Sequence, residues 1–157
     1  MGAARRDHRF FMEEALRVAE EAYQAGEVPV GAVAVYGHEI LARAGNRRES
    51  LKDPTAHAEI LVLQEAAKKL GRWNLEGVTV YVTLEPCPMC AGAMVQARVD
   101  ALVFGAPDSR MGAAGSVLNI VQHPHFNHRL DVLGGLLEED CRALLQRFFQ
   151  ERRQEKA

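Results

Sequence analysis

The alternation of strand-like and helix-like segments is the feature of this sequence that most constrains its fold. Runs rich in β-branched and aromatic residues predict strands, and apolar residues at helical spacing predict helices. The strands are predicted at 31–36, 39–44, 78–83, 101–104 and 132–134, and helices at about 88–98 and 138–154, with two earlier helices ending near Gly26 and Gly71. Because strands alternating with helices usually form a covered, mostly parallel sheet, we expect an α/β fold in one domain, 1–157.

Caps, turns and apolar stripes predict how these elements begin and pack. The first two strands flank Gly37-His38 and should form an antiparallel hairpin. The second helix should begin at a cap on Asp53-Pro54 or Thr55. Its apolar stripe is Ala56, Ile60, Leu63, Ala67 and Leu70. In the last helix, Cys141, Phe148 and Phe149 are expected in the core.

Two short segments carry side chains that bind metals. His57 and Glu59 fall in the predicted first turn of the second helix, and Cys87 and Cys90 flank the start of the third. A catalytic zinc commonly has three protein ligands and one open position, whereas a structural zinc has four. His57, Cys87 and Cys90 supply three, and a helix N-terminus favours cysteine thiolates over thiols. The sequence therefore predicts one Zn²⁺ per chain.

Glu59 is the predicted general acid and base of this site. Zinc can lower the pKa of a bound water from about 15.7 towards roughly 7. Glu59 would accept the proton of that water and deliver it to a ring nitrogen and then to the leaving ammonia. This is the chemistry of a hydrolytic deaminase.

Each half of the motif has a simpler interpretation when taken alone. Cys87-x-x-Cys90 is also the spacing of a redox pair, and His57-x-Glu59 by itself is a common chance pattern. A non-catalytic zinc-binding RNA module, or the inactive subunit of a deaminase pair, is a further alternative. Glu59 argues against it, because a purely structural site has no use for a proton shuttle beside an open position.

Composition excludes several classes of protein. The formal net charge of −2 excludes a uniformly basic nucleic-acid coat protein and leaves only local basic patches for RNA. No apolar run approaches the ~20 residues that span a bilayer, so we expect no membrane partner. An odd number of cysteines, three, with two in Cys-x-x-Cys, predicts metal chemistry in a reducing compartment, here the cytoplasm.

The two metal-binding segments together form a known signature, and the similarity extends beyond them. His-Ala-Glu followed by Pro-Cys-Pro-Met-Cys is the established signature of zinc-dependent base deaminases. Over nearly its whole length the sequence resembles the bacterial tRNA-specific adenosine deaminases. The matching segments are Glu27–Ala32, Asp53–Glu59, Tyr81–Cys87, Met89–Ala93, Gly112–Ser116 and Asn127–Arg129. The last two segments distinguish this branch from free cytidine and guanine deaminases.

The resemblance implies a fold, a substrate and an assembly. The fold is the three-layer α/β/α cytidine deaminase-like fold, with a central mixed sheet of about five strands. The expected reaction converts adenosine to inosine at the wobble position of a tRNA anticodon, in a homodimer. The expected partner is a tRNA anticodon stem-loop, and no DNA is expected. The alternative is a deaminase of a free base or nucleoside of the guanine or cytosine type.

Five residues are candidates for contact with the target base, which must leave its stack to enter a pocket. Asn46, which the resemblance places beside the metal, could read the base edge, or it could be a turn asparagine. Val28 and Val30 are candidates for apolar walls or for the core, and Ala58 offers a backbone amide. Asp108 is a candidate for contacting the ribose or backbone of the flipped nucleotide, or for forming a turn.

Six further residues are candidates for RNA contacts. They are Arg110, Asn127, His128, Phe149, Arg152 and Arg153. The two C-terminal arginines lie among Glu151 and Glu155, so a solvated helix is the alternative there. Phe149 could stack on a base or join the core, and core packing is the preferred interpretation for both phenylalanines.

Overall fold

The computed structural model describes the backbone of residues 2–156 and the side chains of residues 7–155. Met1 and Ala157, the ends of the predicted domain, lie outside the described residues. The helices are α1 (Gly2–Gln24), α2 (Arg48–Leu51), α3 (Ala58–Leu70), α4 (Pro88–Gln96) and α5 (Glu138–Lys156). The strands are β1 (Gly31–Tyr36), β2 (Glu39–Gly45), β3 (Val78–Leu84), β4 (Ala101–Ala106) and β5 (Asp131–Leu133). Within residues 2–156, no helix is both long and apolar enough to cross a membrane.

The sheet is mixed, and the expectation of a mostly parallel sheet was wrong. Within residues 2–156 its strand order is β2-β1-β3-β4-β5. β1 runs antiparallel to both β2 and β3, whereas β3, β4 and β5 are parallel to one another. The hairpin places β2 at the edge, so the chain returns through α3 and adds β3 on the other side of β1. The mixed five-stranded sheet implied by the family resemblance is confirmed.

Helices cover both faces of this sheet, which confirms the three-layer fold. Ala32 and Ala34 of β1 face the core under α3 and α4, whereas Val33 and Val35 face the core under α1. α5 lies beside α1. Gly31 brings α1 directly onto β1, because a Cβ atom there would lie 2.1 Å from the backbone oxygen of Ala15.

The second predicted helix begins later than expected. His57 is the N-cap of α3, and Asp53 instead closes a turn, with Oδ1 accepting hydrogen bonds from the backbone N and the Oγ1 of Thr55, both at 2.8 Å. The predicted cap residues Asp53 and Thr55 therefore hydrogen-bond to each other in this turn and do not cap the helix. The buried face of α3 is Ala58, Glu59, Val62, Leu63 and Ala66, so the predicted stripe was displaced. The short helix α2 was not predicted.

The apolar face of the C-terminal helix is narrower than predicted. Cys141 and Phe148 are buried, as expected, but Phe149 is 46% exposed. Adjacent residues on a helix point in directions about 100° apart, and here Phe148 faces the core whereas Phe149 faces outward.

Candidate metal and substrate site

Three potential metal ligands meet at the starts of two helices. His57 is the N-cap of α3, Cys87 is the N-cap of α4, and Cys90 lies in the first turn of α4. His57 Nδ1 lies 3.6 Å from Cys87 Sγ and 3.4 Å from Cys90 Sγ. One ligand atom from each residue lies within 4.8 Å of the other two. Pro88 at the first position of α4 has no N–H to satisfy, which allows this helix to start directly after β3.

A mutual hydrogen bond shifts the pKa values of the two thiols in opposite directions. A hydrogen bond from Cys90, opposed by burial, lowers the pKa of Cys87 to about 4. The same hydrogen bond, together with burial, raises the pKa of Cys90. A hydrogen bond with Cys87 raises the pKa of His57. Cys87 is thus the thiol that loses its proton more readily, and it lies beside a second sulfur and an imidazole, a donor set that suits Zn²⁺.

Glu59 lies next to these ligands and is almost fully buried. It is the second residue of α3 and only 4% exposed. Burial raises the pKa of its carboxyl to about 7. A carboxyl group whose pKa lies near neutrality can both accept and donate a proton at physiological pH, as general acid–base catalysis requires.

A cavity of about 270 Å³ opens beside His57, Cys87 and Glu59. It is lined by Val28, Val30, Asn46, Arg48, His57, Ala58, Glu59, Leu84, Glu85, Cys87, Asp108 and Met111. This set includes all five residues predicted to contact the base. It includes none of the six predicted RNA contacts.

Asn46 combines a turn interaction with an available polar group. Its Oδ1 accepts a hydrogen bond from the backbone N of Arg48 at 2.9 Å, and its own backbone N donates to Val30 O at 3.0 Å. The side chain is buried, and its NH₂ group makes no hydrogen bond with any atom of the described residues. The amide is therefore held by the turn, with two N–H donors left for a bound molecule.

Asp108 also forms a turn at the edge of the cavity. Its Oδ1 accepts hydrogen bonds from the backbone N of Arg110 at 2.9 Å and of Met111 at 3.1 Å. The side chain of Arg110 is exposed. Oδ1 of Asp108 thus stabilises the turn, whereas Oδ2 forms no hydrogen bond within the described residues.

Three of the predicted RNA contacts lie between β4 and β5: Arg110, which is exposed as described above, Asn127 and His128. Asn127 is exposed, whereas His128 is half-buried. The Nε2 of His128 donates a hydrogen bond to Val99 O at 2.7 Å. One ring nitrogen of His128 is therefore engaged in a hydrogen bond within the chain.

Three more predicted RNA contacts lie on α5. Phe149 and Arg153 are exposed. Arg152 donates a hydrogen bond to Gly26 O at 2.6 Å, and its guanidinium lies 4.9 Å from the centre of the Phe148 ring. Arg152 therefore also connects α5 to the end of α1.

Four residues that line the cavity were missed from the sequence: Arg48, Leu84, Glu85 and Met111. Glu85 carried a usable signal, because it is a charged residue directly after an apolar strand and just before a metal-binding motif. Arg48 carried no such signal, because it lies in a polar stretch where a charged residue is expected to face solvent. Among the described side chains, no carboxylate oxygen lies within 4.0 Å of the Arg48 guanidinium.

A three-layer α/β/α fold with a His-Cys-Cys group beside a buried glutamate is the arrangement of the base deaminases. Residues 6–153 match a family described as MafB19-like deaminase. The chain is also 53% identical to the tRNA-specific adenosine deaminase of Bacillus subtilis (strain 168) over 146 residues, which cover 93% of this chain and 91% of that protein. It therefore belongs to the family of the tRNA-specific adenosine deaminases.

Solved structures show the same relationship. One comes from biochemical and structural studies of A-to-I editing by tRNA:A34 deaminases at the wobble position of transfer RNA. It has a TM-score of 0.84 and 45% identity, covering 87% of this chain and 99% of that one. The guanine deaminase of Bacillus subtilis has a TM-score of 0.61 and 39% identity, covering 64% of each chain.

Proposed function

We propose that this chain deaminates adenosine to inosine at the wobble position of a tRNA anticodon, with the help of one zinc ion. The observation that carries the proposal is that the group formed by His57, Cys87 and Cys90 lies at a cavity whose lining includes His57, Cys87, Glu59 and Asn46. The relative from Bacillus subtilis with 53% identity is named a tRNA-specific adenosine deaminase, and the solved structure with 45% identity comes from studies of tRNA:A34 deaminases, which supports the choice of substrate. We also propose that the whole chain acts as one deaminase domain.

The three ligands fit zinc by chemistry and by position. Two sulfurs and one imidazole nitrogen make a three-ligand set, and three protein ligands are typical of a catalytic zinc. When bound, zinc would supply an activated water as the nucleophile at neutral pH.

Glu59 would move the protons. In the reaction, the oxygen of water adds to C6 of the purine, and the exocyclic amine leaves as ammonia. Glu59 takes one proton from the water and delivers it to the adjacent ring nitrogen. It then takes the remaining proton from the hydroxyl added at C6 and transfers it to the amine, which leaves as ammonia while the C6 carbonyl forms. Burial excludes bulk water from the Glu59 carboxyl, and its pKa of about 7 allows it to bind and release a proton in each step of the reaction.

The other lining residues would hold the base. Asn46 reads the base edge with its free N–H donors, and the backbone amide of Ala58 adds a polar contact. Val28 and Val30 form apolar walls. Asp108 contacts the ribose or the backbone of the flipped nucleotide. A pocket of apolar walls with a few polar groups is the usual design of a small-ligand site.

Contacts outside the cavity would bind the rest of the anticodon loop. Exposure supports this role for Arg110, Asn127, Phe149 and Arg153. The hydrogen bonds of His128 and Arg152 within the chain favour a structural role for those two side chains instead.

The direct test is product formation on RNA. Zinc-loaded protein is incubated with an anticodon stem-loop carrying adenosine at the wobble position, and inosine is measured by mass spectrometry of the digested RNA. A stem-loop with guanosine at that position, and the Glu59→Gln variant, are the matched controls. No inosine from zinc-loaded protein across several tRNA sequences would refute the proposal.

A deaminase of free bases is the second candidate, because the chain also resembles a guanine deaminase. This function would need the same zinc chemistry but no RNA surface. Ammonia release is therefore measured with guanine, cytosine and adenosine in parallel with the stem-loop. Turnover of a free base with no inosine in RNA would favour this candidate.

We further propose that the chain is a cytoplasmic homodimer. An apolar groove of about 640 Å³ lies along the outer side of α3 and α4, and Trp73 at its edge is 68% exposed. Exposed apolar patches of this kind often mark protein interfaces, which supports a dimer. Sedimentation velocity of the zinc-loaded protein at micromolar concentration tests it, and a single species at the monomer mass of 17.4 kDa would refute it.

A further inference from the structure

The segment that follows β4 forms one wall of the cavity and folds around a buried carboxylate. Asp108 and Met111 of this segment line the cavity, and so does Glu85 at the end of β3. Glu85 is 2% exposed, as buried as the apolar core. Among the described side chains, no Lys, Arg or His nitrogen lies within 4.0 Å of its carboxylate oxygens.

Hydrogen bonds from this one segment satisfy the carboxylate. Oε1 accepts from the backbone N of Asp108 at 3.0 Å and from the Oγ of Ser116 at 2.5 Å. Oε2 accepts from the backbone N of Ala114 at 2.9 Å and of Ser116 at 3.1 Å. A buried carboxylate without a cation needs such donors, because an unsatisfied buried charge is costly. Burial acts to raise the pKa of Glu85, but these hydrogen bonds outweigh it and lower the pKa.

The segment is closed tightly around Glu85. A Cβ atom on Gly112 would lie 2.5 Å from Cδ of Glu85 and 2.4 Å from the backbone oxygen of Asp108. Both distances are far below van der Waals contact, so no residue larger than glycine fits without moving the segment. Residues 108–116 thus fold around the carboxylate, and the backbone N–H groups of Asp108, Ala114 and Ser116 point towards it.

The position of Glu85 connects this wall to the metal ligands. Glu85 and Cys87 are two residues apart on the same chain segment at the end of β3, so the anchor of the wall moves with a metal ligand. We propose that Glu85 is a positioning residue that sets the distance between the 108–116 wall and the reacting centre. This role rests on the proposed function, because it concerns the fit of the flipped nucleotide in the same cavity.

A positioning role and a general stabilising role predict different kinetics. If Glu85 only stabilises the fold, its replacement lowers the melting temperature, and the folded fraction keeps the wild-type KM. If Glu85 positions the wall, the folded variant binds RNA more weakly, while zinc and Glu59 remain in place. A rise in KM with little change in kcat is therefore the distinguishing result.

Glu85→Gln is the first variant. The amide replaces one acceptor oxygen with an NH₂ group, which cannot accept a hydrogen bond. In the place of Oε1 it would lose the bond from the backbone N of Asp108, and in the place of Oε2 it would lose those from Ala114 and Ser116. We expect KM for the anticodon stem-loop to rise about tenfold, the factor that corresponds to ~1.4 kcal/mol, while zinc content stays at one per chain. Hydrogen exchange should accelerate at the amides of Asp108, Ala114 and Ser116, with little change at the start of α3.

Ser116→Ala is the second variant and covers the case in which Glu85→Gln fails to fold. It removes only the Oγ donor, so we expect a smaller rise in KM of about threefold. Ser109→Ala is its matched control, because Ser109 belongs to the same segment and is exposed. It should leave both KM and hydrogen exchange unchanged.

The outcomes separate the two proposals. If wild-type protein makes no inosine, the proposed function fails, and hydrogen exchange alone decides whether Glu85 holds the wall. If wild-type protein is active, unchanged KM in folded Glu85→Gln and Ser116→Ala overturns the positioning role. Equal exchange rates at residues 108–116 in wild type and variants would overturn it as well.

Discussion

Replacing Glu59 with glutamine should abolish turnover and yet make the metal-free protein more stable. The substitution keeps the shape of the side chain and removes its charge and its ability to shuttle protons. Loss of a general acid or base commonly costs a factor of roughly 10²–10⁴ in rate. Because none of the three metal ligands changes, zinc content should remain near one per chain.

The gain in stability follows from burial. The pKa of the Glu59 carboxyl rises from 4.5 to about 7 on folding. Each pH unit of such a difference is worth ~1.36 kcal/mol, so the charged carboxylate costs the folded protein about 3 kcal/mol. A raised carboxyl pKa means that the folded state holds the proton more tightly than the unfolded state. The cost is therefore absent below pH 4.5, grows between pH 4.5 and about 7, and is fully present above that.

Urea denaturation of chelator-treated protein at pH 4.5 and pH 8 measures this effect. Glu59→Gln should match wild type at pH 4.5 and exceed it at pH 8. Glu65→Gln, on the same helix but about half exposed, is the control and should change little at either pH. With zinc restored, the charge of the ion favours the carboxylate, and the gain should shrink. Activity above a tenth of wild type, or equal stability at pH 8, would refute the reasoning.

Three other substitutions test the rest of the site. Cys90→Ser should reduce zinc from one per chain to near zero by elemental analysis and abolish turnover; retained zinc would exclude Cys90 as a ligand. Asn46→Ala should lower kcat/KM for RNA by about 10- to 100-fold, the worth of a lost buried hydrogen bond, with zinc unchanged. Arg48→Gln should raise KM for RNA and reduce the slope of log KM against log salt by ~0.7, the value for one single-strand phosphate. Lys69→Gln, outside the cavity, is the control. An unchanged slope in Arg48→Gln would show that Arg48 contacts no phosphate.

The positions of the five strands, to within two residues at each end, and the residues of the metal group were predictable because they depend on short stretches of sequence. β1, β3 and the start of α4 follow from local propensity and from proline and glycine. His57, Cys87 and Cys90 follow from residue chemistry and spacing. The antiparallel hairpin of β1 and β2 was predicted as well. The antiparallel pairing of β1 with β3 was not, because α3 joins β2 to β3 and does not determine which strand β3 pairs with.

The start of α3 shows the same limit on a smaller scale. Asp53 and Thr55 are good cap residues by type, but they hydrogen-bond to each other in a turn, and His57 becomes the cap instead. The residue at which α3 begins determines the directions of the His57 and Glu59 side chains. Local preference allowed either start, and packing of Ala58 and Val62 against the sheet selected one.

What the sequence determined by itself is the chemistry: a zinc-type ligand set, a proton-transferring glutamate and the alternation of strands and helices. What only the tertiary structure decided is the shape of the place where that chemistry happens. Glu85 and its partners are separated by 23 to 31 residues, and no local pattern pairs a strand-end carboxylate with amides in a later loop. Metal ligands are recognisable one by one, whereas a cavity wall exists only when distant segments pack together.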